Sequence, residues 1–232
     1  RVARLVFREP VSLIPDQHAS ATDGGASVGV LHRSNMRLNT GIGIAFAACA
    51  LVAYGILNWS TTFLTTAGFT LEQAGFAVSV CGITSMLGSF GAGLLTRRFG
   101  SRRVMAVISA TVFVLLVALA FTVEVLPAKP TVAERALVVM LIGGAGAFFS
   151  AGIATMYVIM ALGYPQSCRS AGIGFGIFMS RVGAIAASGL GGALLDFGAG
   201  SVVPFFTVLC VGAVLVSAAA FIVDRHVAPS RS

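Results

Sequence analysis

The feature that most restricts this chain is a series of six apolar stretches, each long enough to cross a lipid bilayer. A membrane-spanning helix needs about 20 largely apolar residues. None of the stretches contains Asp, Glu or Lys, and Arg181 is the single arginine within them. The sequence therefore predicts an all-α membrane protein built as a six-transmembrane-helix bundle, with spans at about 41–64, 74–95, 104–123, 136–162, 170–195 and 203–223.

Composition excludes most soluble classes of protein. Charged residues make up 10% of the chain and hydrophobic residues 57%, whereas soluble domains carry roughly a quarter charged residues. The lipid bilayer is thus the expected partner. The net charge of +7 would suggest nucleic acid in a soluble protein. Here the arginines cluster between apolar stretches and a single lysine, Lys129, is present, so we expect no nucleic-acid partner.

The distribution of basic residues predicts how the helices are oriented. Twelve of them lie before the first stretch, after the second, after the fourth and after the sixth, against Lys129 and Arg135 on the other side. The positive-inside rule places the twelve in the cytoplasm. We therefore expect a multi-pass protein of the cell (inner or plasma) membrane with both termini cytoplasmic. Its parts are a loop remnant at 1–40, the six-helix domain at 41–223 and a tail at 224–232.

Arg181 is the first candidate site residue, because it falls near the middle of the fifth stretch. An arginine at that depth costs at least about 2.5–3.5 kcal/mol, and it stays protonated. No stretch contains an acid to pair with it. The partner is then a carboxylate in a missing half of the protein or a bound anion. The alternative is a structural arginine that caps backbone carbonyls at a helix break.

Tyr54 and Asn58 are two further candidates for substrate binding. With Thr61 and Thr62 they recur at helical spacing on one face of the first stretch, where they would line a polar cavity together with Arg181. The alternative interpretation makes Tyr54 a core residue and Trp59 a residue of the membrane interface.

The fifth stretch also carries a stripe of small residues at every fourth position. Small residues let membrane helices approach closely. The stripe fits either static packing or helices that slide past each other during alternating access, and periodicity does not separate the two. Its members are Gly172, Gly176, Ser180, Ala184, Ser188 and Gly192.

The loop after the second stretch resembles the cytoplasmic loop motif of the major facilitator superfamily, G-x-x-x-[DE]-R-x-G-x-[RK]-[RK]. That family places the motif after the second helix of each six-helix half, and the resemblance implies a gating role for it. The departure is an arginine at the acidic position. The residues are Gly93, Arg97, Arg98, Gly100, Arg102 and Arg103. Arg169, in the loop before the fifth stretch, is grouped with them as a candidate for gating.

A second pattern is similar to the eleventh helix of the aromatic acid:proton symporter branch of that superfamily. It comprises Tyr164-Pro165, then Arg169-x-x-Gly172-x-Gly174, then Ser180-Arg181-x-Gly183-Ala184. The resemblance implies that the chain is the C-terminal half of a twelve-helix transporter. It also implies proton-coupled uptake of a small organic anion such as an aromatic carboxylate, with the coupling acids in the missing N-terminal half.

Three other interpretations remain open. A sugar or other organic-ion porter of the same superfamily shares much of the pattern. A six-helix carrier that dimerises with itself is a second possibility. An intramembrane enzyme is disfavoured, because His18, His32 and His226 all lie outside the apolar stretches. We expect no enzymatic activity, no cofactor and no metal.

Overall fold

The computed structural model describes residues 29–30, 32–127 and 129–223, and its main elements are six long helices. Each is long and apolar enough to cross a membrane, which confirms the predicted six-helix bundle. Predictions for 1–28, for 31 and for the tail at 224–232 lie outside the described residues. The helices are α1 (Met36–Thr66), α2 (Leu71–Phe99), α3 (Ser101–Val125), α4 (Val132–Gly163), α5 (Arg169–Phe197) and α6 (Val203–Ile222).

Five of the six helices start before the apolar stretches that predicted them. α1 starts at Met36, so the last five residues of the predicted loop at 1–40 are helical. The added turns also bring acids into helix ends, such as Glu72 in α2 and Glu134 in α4. Polar residues extend these helices because capping boxes satisfy the first backbone N–H groups of α2 and α4. Hydropathy alone does not register such caps.

The helices run alternately up and down, and α1 lies at the centre. It packs against α2, α4, α5 and α6, while α3 closes the bundle from the far side against α4 and α6. One end of the bundle, here called the arginine end, holds residues 97–103 and 163–169. The opposite end holds residues 67–70, 126–131 and 198–202.

Small residues bring α2 and α4 into close parallel contact. A methyl group on Gly88 would overlap the backbone of Ala147. At this approach the Thr84 hydroxyl donates to the Gly143 carbonyl oxygen at 2.6 Å, and Ser85 donates to that of Gly146 at 3.0 Å. Side-chain hydrogen bonds to neighbouring backbones hold membrane helices together where lipid offers no hydrophobic driving force.

Candidate functional site

The candidate site lies where α1 and α5 pack side by side in the same direction. The backbones approach closely at Gly183, where a methyl group would overlap the Ala47 carbonyl. Nearer the opposite end, Gly191 and Gly192 receive the indole ring of Trp59. The predicted stripe of small residues thus contacts α1 of this chain, and Gly172, Gly176 and Ala184 within it are buried.

Arg181 reaches across this contact to α1. Its guanidinium donates to the Tyr54 hydroxyl at 3.3 Å. The side chain is exposed at the surface of the bundle, and it has no ion pair with any acid in the described part of the chain. Because α5 begins at Arg169, Arg181 lies about 18 Å along the helix at 1.5 Å per residue. The structure therefore presents an unneutralised charge at the middle of a span.

Asn58 lies one turn beyond Tyr54 and is held by α5 as well. Its amide donates to the Ser188 hydroxyl at 2.9 Å, and that hydroxyl donates to the Ala184 carbonyl oxygen at 3.0 Å. Ser188 thus uses its single donor on Ala184 and accepts from Asn58, which orients the Asn58 amide. The side-chain carbonyl oxygen of Asn58 has no hydrogen-bond partner among the residues that the structure describes.

Trp59 packs between α1 and α5. Its indole N–H donates to the Ala187 carbonyl oxygen at 3.1 Å, and its ring lies on Gly191 and Gly192. The residue is half-buried between α1 and α5, so it locks the register of the two helices. Glycines on α5 leave room for the ring between the helices, and the location of Trp59 at the membrane interface stays a prediction.

The structure joins two of the four predicted polar residues of α1 to α5. Tyr54 and Asn58 both contact α5. Thr61 is half-buried, and its backbone carbonyl accepts a hydrogen bond from the Thr65 hydroxyl. Thr62 lines a separate groove near Asp196 at the opposite end. The sequence did not single out Ser188 as the partner of Asn58, since it appeared there as one member of the small stripe.

Together these side chains can bind an anion. A guanidinium offers up to five N–H donors in a planar fork that matches a carboxylate, and the Tyr54 hydroxyl and the Asn58 amide lie along the same helix face. A groove of about 370 Å³ also opens between α1 and α5 toward the arginine end. Its walls include Ile44, Phe175 and Met179, which suit an apolar group.

The loop motif forms a tight connection at the arginine end. Gly100, with φ of 81° and ψ of 151°, ends α2 and is followed at once by α3. A side chain at this position would be strained. Arg98 lies 5.5 Å over the ring of Phe99, and Arg102 lies 5.4 Å over that of Phe221 in α6.

The other motif residues are open to the surroundings. Arg97 and Arg103 are exposed, and a methyl group on Gly93 would meet nothing within 4 Å. Gly93 therefore packs against no other helix in the described part of the chain. The motif belongs to the arginine end of the bundle, whereas Arg181 lies in the middle of α5.

Arg169 starts α5 beside a polar cluster that the sequence did not predict. The Tyr164 hydroxyl donates to the Asn39 side-chain oxygen at 2.5 Å, and Asn39 donates to the Val30 carbonyl oxygen at 2.7 Å. A methyl group on Gly172 would meet the Tyr164 ring. The Nε of Arg169 is buried without a hydrogen-bond partner in the described residues. This cluster fastens the start of α1 to the α4–α5 connection.

Comparison with known proteins adds one relative. A gallate transporter from Pseudomonas putida is 29% identical over 151 residues, which is 65% of this chain and 31% of that transporter. The aligned part therefore spans about a third of the relative's length.

One protein-family model matches nearly the whole chain. The model of the family described as "Sugar (and other) transporter" matches residues 12–224, which include all six helices. A match over this length, together with the six apolar helices, defines the family. The chain belongs to the sugar (and other) transporter family of the major facilitator superfamily.

Proposed function

We propose that this chain is the C-terminal six-helix part of a secondary transporter that takes up a small organic anion, such as an aromatic carboxylate, by proton-coupled alternating access. Arg181 would bind the carboxylate, with Tyr54 and Asn58 beside it. The observation that carries the proposal is the exposed Arg181 guanidinium in the middle of α5, bonded to Tyr54 and paired with no acid of the described residues.

The electrostatics of that arginine favour an anionic ligand. A charge at this depth is costly unless a counter-charge or water reaches it. Tyr54 donates or accepts one hydrogen bond but supplies no charge. A carboxylate would supply the charge and take two parallel hydrogen bonds from the fork. The similarity to a protein named gallate transporter supports this choice of substrate, since gallate is an aromatic carboxylate.

The absence of acids in the middle of these helices supports the placement of proton coupling elsewhere. The acids among the described residues lie in terminal turns of helices, as Glu72 and Asp196 illustrate. Proton coupling in transporters uses ionisable groups within the membrane. We therefore assign coupling to an N-terminal six-helix part that faces the exposed sides of α1 and α5. In this arrangement both termini are cytoplasmic, and the loop from Arg97 to Arg103 contributes to gating.

A sugar porter is the second candidate, because the family description names sugars first. A sugar can accept hydrogen bonds from a guanidinium, but it is neutral and supplies no counter-charge for Arg181. Arg181 therefore favours the anion. A carrier formed by two copies of this chain is the third candidate. Transport by vesicles that contain this chain alone would support it against the half-transporter.

The test uses Trp59, the single tryptophan of the chain, as a fluorescent reporter next to Asn58. Benzoate and glucose are titrated against the full chain in lipid nanodiscs. We expect saturable binding of benzoate and none of glucose. Loss of two charge-assisted hydrogen bonds in Arg181→Gln should weaken benzoate binding by about 100-fold. Arg181→Lys keeps the charge but not the fork, and should weaken it by about tenfold.

The control removes the same charge elsewhere. Lys129→Gln changes an exposed cation at the opposite end and should leave the benzoate affinity unchanged. Equal benzoate affinity in wild type and Arg181→Gln would refute the role of Arg181. Binding of glucose in preference to benzoate would favour the sugar porter.

A further inference from the structure

We propose that the opposite end of the bundle holds a binding site for a zwitterionic phospholipid, with the phosphate on Arg135 and the ammonium on Glu72. The lipid class that fits is a phosphatidylethanolamine. This site is separate from the α1–α5 contact and does not depend on the substrate proposed above.

The site is a cavity with a volume of about 680 Å³. It opens between the first turns of α2 and α4, and Phe69 of the α1–α2 connection forms part of its wall. Volumes of about 300–1,000 Å³ are usual for small-molecule sites. The cavity is thus large enough for a lipid headgroup and the start of its acyl chains.

Two opposite charges line this cavity without neutralising each other. Glu72 is the second residue of α2 and Arg135 the fourth of α4. Within the described residues, neither side chain forms an ion pair or a hydrogen bond. The Arg135 side chain is half-buried in the cavity wall. A partly buried guanidinium that has no ion pair within the described residues interacts more strongly with a phosphate than one in open water does.

The walls of the cavity change from polar to apolar along the helices. Gln73 lies near the charged residues, while Phe76 and Met140 lie about one turn deeper and are 61% and 66% exposed. Arg135 and Glu72 stand in the first turns of membrane spans, at the depth of headgroups beside the hydrocarbon core. A phospholipid has the same order of polarity: a charged head followed by apolar chains.

The pair of charges selects among headgroups. A phosphate alone would be attracted by Arg135 but repelled by Glu72. A headgroup that carries a phosphate and a primary ammonium satisfies both residues. Phosphatidylglycerol has the phosphate without the amine, so it serves as the matched comparison lipid.

Native mass spectrometry of the full chain, released from detergent with defined lipids, measures the affinity for each lipid. We expect phosphatidylethanolamine to bind at least about tenfold more tightly than phosphatidylglycerol, since one charge-assisted interaction separates them. Glu72→Gln should abolish this preference. Arg135→Gln should weaken both lipids by about tenfold or more, and Arg135→Lys should restore much of the loss. Lys129→Gln and Asp196→Asn, at the same end but outside the cavity, should bind like wild type.

Three results would overturn the proposal. One is equal affinity of wild type for the two lipids. Another is an Arg135→Gln variant that binds both lipids as tightly as Lys129→Gln does, while its helical circular dichroism is that of wild type. The third is that glycerophosphoethanolamine, which lacks acyl chains, competes for the cavity as well as phosphatidylethanolamine does. That outcome would assign the cavity to a soluble zwitterion.

Discussion

Replacement of Gly183 by alanine tests whether the close approach of α1 and α5 sustains both the fold and the binding site. A Cβ at this position would overlap the carbonyl of Ala47. The helix backbones fix the positions of both groups, so neither can rotate away. The helices must separate by about 1 Å, which forfeits roughly a quarter to a half of the dispersion energy at the contact. Overpacking of this kind costs about 1–3 kcal/mol.

The matched control is Gly189→Ala on the same helix, where a methyl group would meet nothing within 4 Å. There alanine should be neutral or stabilise the helix by up to about 1 kcal/mol, because its helix propensity exceeds that of glycine. The difference between the two variants should therefore be about 1–4 kcal/mol. The unfolding midpoint in SDS titrations, followed by circular dichroism, measures it.

The same separation should weaken ligand binding. The hydrogen bond from Arg181 to Tyr54 is already 3.3 Å long, so a further ångström breaks it. Gly183→Ala should thus lower the benzoate affinity seen through Trp59 fluorescence, while Gly189→Ala should not. Equal stability and equal affinity of the two variants would refute the reasoning that Gly183 sets the spacing of α1 and α5.

Two further substitutions test single contacts by the same unfolding measurement. Gly100→Ala should destabilise the fold by about 1–3 kcal/mol because φ is 81° there. The control is Gly93→Ala, whose methyl group would contact nothing within 4 Å. Equal stability of the two variants would contradict a strained backbone at Gly100. Thr84→Val removes the hydrogen bond to Gly143 and should lower the stability by about 0.6 kcal/mol. Thr207→Val loses a hydrogen bond within its own helix, and its stability should change little. The reverse order of stabilities would contradict the role of interhelical hydrogen bonds.

The number of helices could be predicted because hydropathy reports directly on the solvent of each segment. Six apolar stretches gave six helices. Their ends could not be predicted as well, since Thr70 and Thr131 start α2 and α4 through local caps that add polar turns. The prediction of a transport protein and not an enzyme is confirmed by the family match.

The site was predictable in its residues but not in its pairing. Helical spacing put Tyr54 and Asn58 on one face, and charge singled out Arg181. That α1 packs beside α5 depends on contacts between residues more than 120 positions apart, which no local pattern contains. Proton symport, the aromatic substrate and the missing N-terminal half stay predictions.

The pairing of α1 with α5 has a consequence for how the protein is made. Asn58 enters the membrane with α1, yet its partner Ser188 is 130 residues later in the chain. At synthesis rates of about 5–20 residues per second, the amide waits roughly 7–26 s for that partner. During this interval the polar face of α1 needs water, the insertion machinery or a temporary neighbour. The central helix of the finished bundle therefore spends this interval without the partner that later binds its polar face.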